Sequence, residues 1–338
     1  MASHATQLKI GLFGIGLHTY WPQFAGLKDR LTGHQQRIRD GLEAGGAAVV
    51  DAGLVDNLDG SAHAAFNSLP SREEKTGEWL AHCQACSAPE IASVFNRAGI
   101  DYHLVTGTLD DPAAWAEIRD WVDAAEVARV FRATRIGLMG HYYGGMLDVY
   151  SDYTQMASSF GNHFELVEID ELRALHDAAS EVAVDEMLAR LRGTFDVSGE
   201  CSEAELRRAA RTSAGLHKLA AKRRLGALAY YYEGQPGSEH EAIMGSVIAG
   251  NTLLTANHAP VAGEHEVKNV IAMKILDALG AGGSFSNSRY RFPIGAKAYV
   301  NAWAKAGPSH HCAIGVGHVA GKLEKLAEIL GTEYQLVC

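Results

Sequence analysis

The sequence predicts an α/β fold with parallel sheets, on three observations. A strand signal near the start runs into a long helical stretch and then a second buried strand. The same alternation resumes after Thr76, and it begins afresh at Arg135. A β-loop-α-β order of this kind favours a parallel sheet with covering helices, because a parallel partner strand is reached only through a crossover.

The elements follow in order. Leu8 to Gly14 reads as the first strand, Leu27 to Leu42 as a helix, and Ala47 to Asp51 as a second buried strand. Leu54 to Pro70 is polar and rich in small residues, with no clear periodicity. Pro89 to Ala98 is helical, Tyr102 to Val105 a strand, and Pro112 to Phe131 a long amphipathic helix. Arg135 to Gly140 opens a second α/β unit, and Phe164 to Ile169 is its next strand. Ser202 to Lys222 is helical, Gly226 to Tyr232 a strand, and Leu253 to Thr255 a loop or short strand. Val267, Val270, Ile271, Ile275 and Leu279 form a helical stripe with Gly280 and Gly282 past its end. The last segment changes texture: Arg289 to Trp303 is strand-like, a helix over Lys322 to Leu330 stops at Gly331, and Tyr334 to Val337 is a terminal strand.

Composition narrows the function classes. A chain of 338 residues with 47% apolar and 21% charged residues is of the soluble globular kind and long enough for two or three domains. The net charge of −10, with Lys and Arg scattered, argues against a surface that tracks nucleic-acid phosphates. No apolar run reaches membrane-spanning length and no secretory signal opens the chain, so a cytoplasmic location is expected. Cys83 and Cys86 make one CxxC, which lacks the second pair of a zinc cage and reads as buried thiols rather than a redox pair.

The chemistry-bearing residues cluster at strand ends. Gly14-x-Gly16-x-x-Thr19 lacks the third glycine of a dinucleotide fingerprint, so it reads as a tight strand-to-helix turn. His18 and Tyr20 stand just beyond that strand, where a polyol contact is reasonable. His141, in the loop GHYYGGM, sits either on a pocket rim or in a packed loop covering the sheet edge, and Glu233 is placed similarly. Glu264 and Glu266 stand at a helix entrance, where acidic residues also serve the macrodipole, and at most one of them should face a site. The pair His310-His311, bracketed by Gly-Pro and a Gly-rich turn, lies in an extended segment whose side chains alternate faces, so one His can bind metal while the other faces substrate or core. A carboxylate and an imidazole from separate elements are the raw material of an open metal site or of acid/base catalysis.

GEHEVKNVIAMKILDALGAGGSF together with AWAKAGPSHHCAIGVGHVAGKLEKLAEILGTEY resembles the L-arabinose isomerase family, most closely its L-fucose/L-arabinose isomerase-like branch. KIGLFGIGLHTYWPQF, TGEWLAHCQACSAPEIASVFNRAGI and RIGLMGHYYGGMLDVYSDYTQ fit that branch too. The resemblance implies two Rossmann-like domains, residues 1–133 and 134–286, each a parallel sheet with helices on both faces, and a reduced β-rich C-terminal domain, residues 287–338. It implies conversion of an aldose to a ketose through an enediol, helped by a divalent metal, usually Mn²⁺, in a homo-oligomer. Glu264 matches the first metal-binding Glu and an acid/base, His311 the C-terminal metal-binding His, and His310 its substrate-side neighbour. His18 and Tyr20 match a substrate-contacting loop, although Leu17 stands where the arabinose enzymes have Gln.

Two departures matter. After GGSF the family carries a second metal-binding Glu and then a His, whereas here Ser286 runs straight into Asn287-Ser288-Arg289-Tyr290. A further stretch is missing after Val55. Glu266, Asp148 or His318 are the available substitutes for the absent ligands, since a hard divalent cation prefers about six mostly oxygen ligands. The expected function is therefore a sugar isomerase. Its alternative is a catalytically impaired or non-catalytic sugar- or polyol-binding relative, and a nicotinamide-dependent oxidoreductase is a third class.

Overall fold

A computed structural model describes residues 7–16, 18–55, 67–68, 87–287 and 311–334. Cys83, Cys86, His310 and the strand expected over 289–303 lie outside the described residues, as does the expected terminal strand except Tyr334, which is not in a strand. The chain divides into two compact units, Met1–Asp123 and Ala124–Cys338.

In the first unit, β1 (Lys9–Ile15) and β2 (Ala48–Val55) pair in parallel around the crossover helix α1 (Leu27–Ala44). Leu12, Ile38 and Leu42 form its core, with Ile10, Val49, Trp115 and Ile118 packed against them. The spacing of Ile38 and Leu42 puts both on one helix face, as the periodicity requires. Gly14 and Gly16 make room for neighbours: a Cβ at Gly14 would lie 2.6 Å from Gln35 Oε1, and one at Gly16 would lie 2.5 Å from the Trp21 ring. Helix α2 (Ser87–Ala98) follows as expected. The strand expected at Tyr102–Val105 is not formed; the ladder lies at β4 (Thr106–Gly107), parallel to β3 (Asn67–Ser68). Tyr102 and Leu104 point outward, 37% and 45% exposed, so their apolar character does not mark a buried strand. Helix α3 (Pro112–Ala133) ends the unit and continues into the second.

The second unit is built on four parallel strands, β5 (Arg135–Gly140), β6 (His163–Val167), β7 (Ala227–Tyr231) and β8 (Val261–Ala262), in the order β6-β5-β7-β8. Side chains alternate between the two faces. Ile136, Leu138, Ala227, Ala229 and Ala262 pack on one face against Val127, Ala128 and Phe131 of α3 and against α10 (Val267–Ala278). Met139, Val167, Leu228 and Val261 pack on the other against α5 (Ile169–Asp177), α7 (Glu203–Arg223), α8 (Glu239–Met244) and α9 (Ile248–Ala256). The sheet is covered on both sides, so this unit is α/β with a parallel sheet.

Caps fix several helix starts. Asp152 accepts from the amides of Thr154 and Gln155 at the entrance of α4 (Tyr153–Phe160), Ser180 caps α6 (Glu181–Thr194), and Ser202 with Glu205 forms a capping box on α7. Two expectations are corrected. Ile169 begins α5 rather than ending β6. Leu253–Thr255 belongs to α9, whose residues Gly250, Leu253 and Leu254 recur at helical spacing against the core; the stretch carries no charge to mark its outer face. An antiparallel hairpin, β9 (Gly282–Asn287) with β10 (His311–Gly315), lies on α10 through Phe285 and Ala313, and α11 (Ala320–Leu330) ends at Gly331 as expected. Among the described residues no helix is long and apolar enough to cross a membrane.

Two features of this unit yield predictions. Gly140 ends β5 with φ +83°, and a Cβ there would lie 1.8 Å from the carbonyl oxygen of Tyr231. Gly140→Ala is expected to lose at least about 2 kcal/mol in denaturant unfolding, because both the backbone angle and the clash must be relieved. The Arg223 guanidinium, and then the Lys222 ammonium, hold the Glu171 carboxyl down to about 2 from its ordinary 4.5. A depressed carboxyl contributes stability that is complete above its unfolded value and lost as pH falls. Wild type should therefore lose stability between pH 4.5 and about 2, and thermal melts of Glu171→Gln should show a flatter acid limb over that window.

Candidate functional site

The carboxyl ends of β5, β7 and β8 open into segments 141–146, 232–238 and 263–266. The chain lays β6 on one side of β5 and β7 on the other, so the crevice between β5 and β7 is where open α/β sheets bind ligands. His141 leaves β5 beside this crevice, exposed, with its amide donating to Tyr231 O at 3.2 Å and its ring edge-on to Tyr231 at 5.6 Å. Tyr143 packs on the same ring at 5.0 Å, and the Tyr231 hydroxyl donates to Glu233 Oε2 at 3.2 Å. Burial and the Glu233 carboxylate hold the Tyr231 phenol above its ordinary value, with smaller effects from Tyr143 and Glu264. Glu264 and His141 thus share this end of the sheet.

Beyond β8 the chain makes a turn over Gly263–Glu266, closed by Glu266 N donating to Gly263 O at 3.0 Å. Its two central residues, Glu264 and His265, have φ +58° and +59°. That left-handed pair is the pattern of a type I′ turn, usually filled by Asn-Gly. For other residues it costs about 1–2 kcal/mol each. Strain of this kind concentrates where a side chain must be aimed.

The aimed groups meet His311, the first residue of β10. Glu264 Oε2 lies 2.8 Å from His311 Nε2, and Glu266 Oε2 lies 3.7 Å from Nδ1 on the other side of the ring. Both carboxylates therefore face one imidazole, which corrects the expectation that at most one of them would face a site. The turn reverses the chain between them, so they are not splayed as in a regular helix start. The His311 side chain is buried, as is that of Glu266, while Glu264 keeps 27% of its side chain exposed. Phe285 packs on the His311 ring at 5.0 Å. Glu266 also caps α10, accepting from the Lys268 amide at 3.1 Å.

The fit to a divalent cation can be judged from these atoms. Glu264 Oε2 and Glu266 Oε2 are buried oxygens that accept no hydrogen bond among the described residues; the 2.8 Å approach to His311 is an ion-pair contact without hydrogen-bond alignment. Buried acceptors left this way are costly and ask for a partner. Two ligand atoms about 2.1 Å from a cation, at right angles, lie about 3 Å apart. Glu264 and His311 have that separation, while Glu266, 3.7 Å from Nδ1, stands too far off for a hydrogen bond to the ring. Among the described residues, however, no group of three or more His, Cys, Asp or Glu is arranged to hold a metal ion. His318 is exposed past the other end of β10, and Asp148 lies in a separate turn where its carbonyl accepts from Lys268. Cys312 beside the site is free, with burial pushing its thiol up.

His18 and Tyr20 lie in the first unit, on a short 3-10 helix after β1; His18 is exposed and Tyr20 packs edge-on to Phe24. Tyr231 and His265 escaped the sequence reading. Tyr231 was findable as the last residue of a strand whose partners end at the same edge, whereas His265 has no sequence signal, because only its backbone angle sets it apart. No family model and no curated protein matches this chain.

Because φ at Glu264 is positive, Glu264→Gly should be more stable than Glu264→Ala by about 1 kcal/mol in denaturant unfolding. Equal stabilities would mean that the turn carries no left-handed strain.

Proposed function

We propose that the chain is an aldose–ketose isomerase of the L-arabinose isomerase kind, acting on an open-chain pentose or hexose with a divalent metal, Mn²⁺. The observation that carries the reading is the convergence of Glu264 and His311, from two distant stretches, at 2.8 Å. On this reading the parallel sheet of the second unit is one of two Rossmann-like layers, and β10 with α11 belongs to a reduced C-terminal domain over residues 287–338. The assembly is a cytoplasmic homo-oligomer.

Glu264 and His311 would hold the cation, with Glu266 on the other side of the His311 ring. When bound, the metal supplies Lewis-acid polarisation of the sugar's carbonyl and hydroxyl oxygens. The Glu264 carboxylate removes the proton from C2 of the aldose. The C2–H electron pair becomes the C1–C2 double bond as O1 takes up a proton, giving an enediol. Return of a proton to C1, with loss of the O2 proton, completes the ketose. His310 would contact the substrate, and His141, His18 and Tyr20 are the remaining proposed substrate contacts.

One observation favours a second reading, a sugar- or polyol-binding relative without catalysis: no third metal ligand joins the pair among the described residues. Calorimetry separates the two. For the isomerase, Mn²⁺ binds in the micromolar range and tightens sugar binding; for the binding relative, sugar binding is indifferent to chelator. With Mn²⁺ present, Glu264→Gln and His311→Ala should each lower kcat/KM by ~10²-fold or more. Unchanged turnover in either variant would sink the isomerase reading.

A further inference from the structure

We infer that His265 is a positioning residue, whose clamp on Tyr153 holds the left-handed turn that aims Glu264 at His311. The starting point is that glycine would adopt the backbone at position 265, φ +59°, without strain. The backbone contacts do not explain a histidine there, since the amide bond from His265 to Tyr230 O, 2.9 Å, is open to any residue but proline. The side chain must account for it.

His265 is 3% exposed. Its Nε2 lies 3.0 Å from the Tyr153 hydroxyl, and its ring meets the Tyr142 ring edge-on at 5.0 Å. Both tyrosines are themselves fixed. Tyr153 opens α4 directly behind the Asp152 cap and packs on Phe164 at 5.3 Å. The Tyr142 hydroxyl donates to Ser151 O at 3.1 Å. His265 is thus pinned between α4 and the segment that follows β5. Glu264 and His265 are the two central residues of one turn. Backbone bonds hold the peptide between them, His265 N donating to Tyr230 O at 2.9 Å and Glu264 O accepting from Tyr143 N at 3.5 Å. The pinned ring adds the side-chain anchor whose release lets the strained turn relax. The Glu264 carboxylate then loses its fixed direction. Nothing in the proposed chemistry assigns His265 a contact with substrate; it acts through Glu264.

The inference deepens the proposed metal site and rests on it in its first readout only. Three variants test it: His265→Gly, which suits the backbone; Tyr153→Phe, which keeps the ring packing and loses the hydroxyl; and Glu264→Gln as reference. Calorimetric titration of the whole protein with Mn²⁺ alone should show affinity reduced about 10- to 100-fold in His265→Gly and Tyr153→Phe, the size typical of partners that orient a ligand. The thermal midpoint should fall in both variants and further in His265→Gly, where loss of a buried ring is only partly offset by relief of backbone strain. Wild-type affinity in both variants overturns the inference. If wild type itself binds no Mn²⁺, the metal reading fails alone. The ring-nitrogen chemical shifts of His311 in metal-free, histidine-labelled protein then decide: displacement in His265→Gly and Tyr153→Phe toward the Glu264→Gln values supports the positioning role, and wild-type shifts overturn it. Should His265→Gly not fold, Tyr153→Phe carries both readouts.

Discussion

The second unit depends on the parallel pairing of β5 with β7, and above all on the place where that pairing ends. At Gly140 the Tyr231 carbonyl comes so close that no side chain can be accommodated. The register there, Gly140 opposite Tyr231, brings the carboxyl ends of the two strands level. Because β8 continues the same ladder, three loop segments leave the sheet along one edge, and each brings polar residues with it. The sheet's buried faces, packed on both sides by helices, make this edge rigid, which suits a site that must hold a few groups to fractions of an ångström.

On that edge the molecule accepts local cost for direction. A turn made of glutamate and histidine, in a backbone conformation suited to asparagine and glycine, sends one side chain to His311 and the next to Tyr153. Glu266, the next residue, adds a carboxylate on the far side of the His311 ring while capping α10. One short segment therefore supplies a carboxylate facing His311, an anchor on Tyr153 and a helix start. Its buried oxygens, Glu264 Oε2 and Glu266 Oε2, are left short of donors among the described residues.

Most of the second unit's architecture is legible in the residues. The apolar runs Arg135–Gly140 and Ala227–Tyr231, buried on both faces, have no competing helical pattern. The Ser202–Glu205 box and Gly331 mark helix ends through chemistry that acts locally. What is hidden depends on tertiary context. Leu253–Thr255 is helical because neighbours bury it, and Tyr102–Val105 is apolar without a partner strand. Glu264 and His311 are legible as candidates by residue type and setting. The joint approach of Glu264 and Glu266 is not, because it follows from a backbone angle that residue identity argues against.

The placement of His311 has a consequence for how the molecule is completed. The four parallel strands are supplied by the chain up to α10, with every ladder bond of that sheet made inside that span, while α11 adds Leu326 to the core on one face. His311 arrives only on β10, which pairs with β9 rather than with the four-stranded sheet. The two carboxylates and the imidazole they face are thus drawn from separate stretches of chain. The stretch of sequence that ends at β9 already contains the residues of the turn and both carboxylates. It lacks only the group that turns them into a site.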